Sequence, residues 1–116
     1  MAYPLVTIHN STNFNVEGKV SYLSFFCSDD NYSATPGTTW KAKSRGVCLV
    51  TEITALVKTP NGDIQATPYT SSGTSYSKFA VIPVGGENKF AVTRIVSAME
   101  DKVPADYVEP TENQKS

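Results

Sequence analysis

The 116-residue sequence predicts an all-β fold, an antiparallel β-sandwich or flattened barrel of about seven strands with a flexible C-terminal tail. Three observations carry that prediction. Apolar residues recur with a period of two along most of the chain, the spacing at which alternate side chains of a strand share a face. Twelve Ser and 13 Thr supply much of the polar surface while charged residues make up only 18%, and threonine suits half-exposed strands. No segment combines a helical period with capping residues. A chain of this length buries one core, which places a single domain at residues 1–99. Residues 100–116 are acidic, contain two prolines and few apolar groups, and read as an extended or disordered tail.

The elements follow in order. "LVTIHN" (Leu5–Asn10) puts Val6 and Ile8 on one face, and "STN" turns. Asn15–Cys27 then places Val16, Val20, Tyr22 and Phe26 on one side, with Glu17, Lys19 and Ser21 on the other. Leu23 and Phe25 continue that polar side, so the end of this strand is apolar on both faces. "SDDNYSATPG" (Ser28–Gly37) reads as a polar loop closing on Pro-Gly, and "TTWKAKS" as a further strand. Val47–Thr59 is nearly continuous in Val, Leu, Ile and Ala, the pattern of a central strand. Asn61-Gly62 predicts a type I′ hairpin, because both central residues of that turn need positive φ. Ile64–Thr70 pairs back, with Pro68 assigning it to a sheet edge, since proline cannot donate to a ladder. "SSGTS" turns between Tyr69 and Tyr76, and Tyr76–Val84 and Lys89–Met99 complete the set.

Composition excludes some functions. The net charge of −1 divides into +2 for residues 1–99 and −3 for the tail, far from the strongly basic domain of a nucleic-acid binder. No stretch approaches the ~18 apolar residues of a membrane span, and the N-terminus lacks the charged and apolar regions of a signal peptide. The chain therefore reads as soluble and cytoplasmic, with export by another route left open. Two sequons, Asn10-Ser11-Thr12 and Asn31-Tyr32-Ser33, matter only on a secretory route. Cys27 and Cys48 read as free buried thiols in a cytosolic protein, with a bridge as the alternative.

Catalytic and metal sites find little support. His9 is the only histidine, and no motif sets a nucleophile beside it; a dyad with Cys48 is the one pairing available. Asp29, Asp30 and Asn31 lie in a row, whereas calcium takes about six to eight oxygens from spaced loop positions. "SSGTSYSK" lacks the spaced glycines of a phosphate loop. The reading is therefore non-enzymatic, without metal or cofactor.

Surface chemistry is more informative. In "TTWKAKSRG" (Thr38–Gly46) the alternation puts Trp40, Ala42 and Ser44 on one side and Lys41, Lys43 and Arg45 on the other. Trp40 is then a core anchor, and the three cations form a row about 6.6 Å apart. That row suits anionic headgroups, or guards an exposed strand against unwanted pairing. Leu23 and Phe25 form an apolar patch, and Tyr69 and Tyr76 offer rings with polar tips of the kind found at interfaces.

The stretch "VTIHNSTNFNVEGKVSYLSF" (Val6–Phe25), followed by the Pro-Gly turn, resembles the opening hairpin of small β-sandwiches such as the aegerolysin-type lipid-binding proteins. The likeness is one of pattern, and no residue role follows from it.

These observations predict an interaction or assembly module. It would self-associate, or contact another protein, through sheet edges or the Leu23/Phe25 patch. The alternative is a lipid- or glycan-binding protein of lectin or toxin-component type that uses Tyr69, Tyr76 and the cationic row.

Overall fold

The computed structural model describes residues 3–86 and 88–95, all in strands, turns and loops. The acidic tail lies outside these residues. Two sheets pack as a sandwich. The first runs in the order β10 (Phe90–Arg94), β9 (Lys78–Pro83), β1 (Thr7–Asn10), β4 (Thr39–Lys41). The second contains β2 (Asn15–Tyr22), β3 (Asp30–Ala34), β5 (Val50–Ile53), β6 (Leu56–Thr59), β7 (Gly62–Gln65) and β8 (Tyr69–Thr74). Val6, Ile8, Phe79, Val81, Phe90 and Val92 from the first sheet meet Val16, Val20, Val50, Ile53 and Val57 from the second, all buried. The sandwich strands pair antiparallel as predicted except β1 and β9, which run parallel with Ile8 opposite Phe79; the isolated Thr67–Ala91 bridge is parallel as well.

Ten strands replace the predicted seven for three reasons. The central strand Val47–Thr59 divides into β5 and β6, yet both keep one register against β2: Glu17 faces Leu56 and Val20 faces Ile53. It is one ribbon interrupted opposite Gly18 and Lys19. There Tyr32 Oη donates to the Thr54 carbonyl at 2.6 Å, and Thr54 Oγ1 accepts from Lys19 N–H at 3.1 Å. The Thr54 carbonyl consequently lies where a Cβ on residue 18 would stand, with Tyr32 Cε1 2.8 Å from the same point. Only glycine fits.

The polar stretch predicted as a loop contains β3, in which Tyr32 and Ala34 turn inward and Asn31 and Ser33 outward. "YTSSGT", predicted as the end of a strand at Thr70 followed by a turn, is β8, paired with β5 through a register shift. At that irregularity Ser71 Oγ donates to the Val50 carbonyl at 2.7 Å and accepts from Gly73 N–H, whose residue adopts φ 129°. The β6–β7 hairpin forms where expected, with Thr59 opposite Gly62. Its turn is not type I′, however, because the two loop residues are Pro60 and Asn61, proline fixes φ negative, and only Gly62 is positive, at 122°.

The sheets are sewn together at two edges. Thr67 donates its N–H to Phe90 O and accepts from Val92 N–H, joining the β7–β8 connection to β10. At the opposite side Asn10 is fully buried; its Nδ2 donates to Phe14 O (2.7 Å) and Ala34 O (2.9 Å), and its Oδ1 accepts from Thr12 N–H and Oγ1. An asparagine is required where one side chain must satisfy donors and acceptors away from water. This is the asparagine of the first sequon, whereas Asn31 of the second is exposed. Trp40 is half-buried at the rim of the core, its ring 5.5 Å from that of Tyr32. Its inward side agrees with the predicted alternation.

Gly18→Ala should lower stability by about 1–3 kcal/mol, read as a reduced urea midpoint, because the added methyl meets main chain that cannot yield cheaply. Burial pushes the pKa of the Tyr32 hydroxyl above its ordinary value of 10.0, and burial followed by the Asp30 hydrogen bond and charge does the same for Tyr22. The unfolded chain then releases protons near pH 10 that the folded chain keeps. Stability is complete below about pH 10 and should fall as pH rises further, measurable as urea midpoints between about pH 9 and pH 11.5.

Candidate functional site

One end of the sandwich gathers the loop after β2 (residues 23–29), the loop between β4 and β5 (42–49), the N-terminal residues Tyr3 and Pro4, and the end of β8. Chain direction brings them together: β2 runs toward this end and β5 starts from it, with Leu23 N–H donating to Leu49 O at 2.8 Å beyond the last paired residues. Cys27 and Cys48 form a disulfide between the two loops, with Cα atoms 6.1 Å apart. The expectation of free thiols is thus corrected. Cys27 lies within the loop that follows β2 and Cys48 two residues before β5, and the pairing of β2 with β5 carries the two loops into bonding range.

The same bond removes the His9/Cys48 dyad, since the Cys48 sulfur is bonded to Cys27. His9 Nδ1 instead lies 2.7 Å from Thr39 Oγ1, on the other strand of the β1–β4 pair. Asp30 accepts a 2.7 Å hydrogen bond from Tyr22 Oη, and Asp29 lies 3.9 Å from Lys19 Nζ. Among the described residues no group of three or more His, Cys, Asp or Glu is placed to hold a metal ion.

Arg45 changes the predicted cationic row. β4 ends at Lys41, so the alternation lapses after buried Ala42, and the chain turns inward. Arg45 is 5% exposed, and its guanidinium donates to three main-chain carbonyls: Nε to Cys48 (2.9 Å), Nη1 to Pro4 (2.9 Å) and Nη2 to Thr74 (2.7 Å). The Tyr3 ring lies over it, 5.5 Å from the guanidinium carbon to the ring centre. Arg45 is therefore a brace inside this end of the fold and is not available to an external anion. Lys41 and Lys43 remain exposed and make no ion pair among the described residues.

Tyr69 and Tyr76, predicted to flank a turn, are also engaged. The Tyr69 ring packs 4.9 Å from Phe79 at the core, and the Arg94 guanidinium stacks on Tyr76 at 3.2 Å.

The predicted apolar patch, by contrast, is exposed and larger than Leu23 and Phe25 alone. Leu23 is 59% exposed, Phe25 90%, Phe26 82% and Val47 62%. Phe26, predicted to face the core, instead lies past the end of β2 at Tyr22 and stacks on Phe25 with ring centres 4.1 Å apart. Phe26 and Val47 each neighbour a half-cystine, so the disulfide holds the two contributing loops side by side. Beneath them a cleft of about 280 Å³ is lined by Tyr22, Phe26, Asp30, Ser44, Arg45 and the disulfide. Nothing in the alternation marks Phe26 or Val47 as surface residues; the nearest signal is its break at Leu23.

No protein-family model matches this chain, and no curated protein or solved structure matches it either.

Arg45→Met should cost about 3 kcal/mol, because it removes three hydrogen bonds to main-chain carbonyls, one buried and two partly buried. Lys43→Ser should change stability by no more than about 0.5 kcal/mol. Chemical denaturation of the two variants beside the parent protein checks the contrast.

Proposed function

We propose that this protein is a non-enzymatic interaction module whose contact surface is the disulfide-braced tip formed by Leu23, Phe25, Phe26 and Val47. The observation that carries this reading is the near-complete exposure of two adjacent phenylalanines on a loop tied by a disulfide to a segment that a buried arginine braces. Together the four side chains present roughly 500 Å² of apolar surface, the size of the largest patch on a typical monomer, and such patches are often functional. Sheet edges serve the role less well at β4, with three residues, and at β7, with four, whereas the other two edge strands, β8 and β10, have six and five. Short edges offer little template for strand addition.

The occupant is either a second copy of the chain or another apolar surface. Two tips meeting symmetrically would bury about 1,000 Å², at the weak and transient end of specific interfaces. A lipid layer is the second reading, supported by the way the tip satisfies its own main chain. Phe26 N–H donates to Ser24 Oγ, Cys27 N–H to Ser24 O, and Cys48 N–H to Arg45 O. Groups already paired enter an apolar medium at a lower desolvation cost.

Phe25→Ser/Phe26→Ser is the decisive variant. It should leave the melting temperature within a few degrees of the parent while reducing retention on a phenyl-substituted matrix by about tenfold. Sedimentation of the parent protein at micromolar concentration, and flotation with phosphatidylcholine vesicles, then separate the two occupants. Retention unchanged by the double substitution would refute the tip as the contact surface.

A further inference from the structure

The two loops of the tip are not held in the same way. Segment 42–49 is fixed by non-covalent contacts along its length: Ala42 N–H to Val6 O, the three Arg45 hydrogen bonds, and Gly46 O accepting from Tyr3 N–H. Segment 23–29, which carries both phenylalanines, has almost nothing comparable. Leu23 N–H reaches Leu49 O at its start, and Asp29 comes within 3.9 Å of Lys19 at its end. Between those points the hydrogen bonds are local, from Phe26 and Cys27 to Ser24, and the Phe25 and Phe26 rings lean on each other. Among the described residues the Cys27–Cys48 bond is the one tie from the middle of this segment to the rest of the protein. Both half-cystines are partly exposed, so an attacking thiolate can reach the bond.

We propose that Cys27–Cys48 is a redox latch: its reduction by a dithiol releases segment 23–29 with Phe25 and Phe26, while Arg45 keeps segment 42–49 in place. The step is a two-electron exchange. A thiolate of the dithiol attacks one sulfur to give a mixed disulfide and a cysteine thiolate; the second thiol of the reductant then displaces the other cysteine. The products are two cysteine thiols and the oxidised reductant. The released loop loses the ordering that prepares it for contact, so an oxidising setting presents the tip and a reducing one withdraws it. This inference rests on the tip being the contact surface, and it assigns that surface its regulation.

The test is chymotrypsin digestion of the full chain with and without dithiothreitol, with cleavage sites mapped by mass spectrometry. Cleavage after Phe25 and Phe26 should accelerate by about tenfold on reduction, following the open population of that loop, with no acceleration after Leu49. Cys27→Ser/Cys48→Ser should reproduce this without reductant. Retention on the phenyl matrix should fall on reduction while a cooperative melting transition persists. Equal cleavage in both states overturns the latch, as does acceleration throughout the chain or loss of the melting transition, because the disulfide would then hold the whole fold. If reduction frees the loop but retention never depended on Phe25 and Phe26, the latch stands and the contact surface lies elsewhere. If retention depends on both phenylalanines but reduction leaves it unchanged, the tip stands and the latch falls.

Discussion

The end of the sandwich is organised around one buried guanidinium. A charge removed from water is tolerated only when hydrogen bonds replace its hydration, and Arg45 finds three main-chain carbonyls from different parts of the chain: Pro4 before β1, Cys48 before β5, and Thr74 at the end of β8. A planar fork suits three separated acceptors, where an ammonium would present a point charge. Gly46, at φ 59°, reverses the chain immediately afterwards, and its carbonyl receives Tyr3 N–H. One residue thus draws together the N-terminal segment, a loop and a strand end that β pairing alone would leave apart.

That arrangement allows an energetically unfavourable surface to persist. Two phenylalanines facing solvent would ordinarily fold back against the nearest apolar wall. Here the cleft beneath them is lined by Tyr22, Asp30, Ser44 and Arg45, groups that offer polar edges, and the tie to Cys48 restricts how far the loop can move. The exposure of Phe25 and Phe26 is therefore a property of the scaffold below them as much as of the loop itself.

The fold class was legible because a period of two is written by the core itself: Val6 and Ile8, Val16 and Val20, Phe79 and Val81 all alternate and all are buried. The β6–β7 hairpin was legible from Asn61-Gly62, although Pro60 decided its turn type. What escaped was structure held by hydrogen bonds in place of apolar contacts. β8 is mostly hydroxyls and glycine, and β3 shows its inward side only through Tyr32 and Ala34. At the tip, Leu23 and Phe25 were readable as surface residues from the charged neighbours on their face. Phe26 and Arg45 were misplaced for a common reason: alternation was extended past Tyr22 and past Lys41, where the strands had already ended. The disulfide was hidden as well, since two cysteines far apart in sequence carry no sign of proximity until β2 and β5 are paired.

The parallel pairing of β1 with β9 has a consequence for how the chain comes together during synthesis. β1 gains one neighbour as soon as residues 39–41 exist, but its other edge stays open until Lys78–Val81 has been made. Thr67 likewise cannot join β10 before Phe90 and Val92 are present. The second sheet, built from residues 15–74, can form earlier from nearer pairings, while the first must wait for almost the whole described chain. Closure of the sandwich is thus a late, long-range event, the kind of topology that folds slowly and leaves apolar strands uncovered in the meantime.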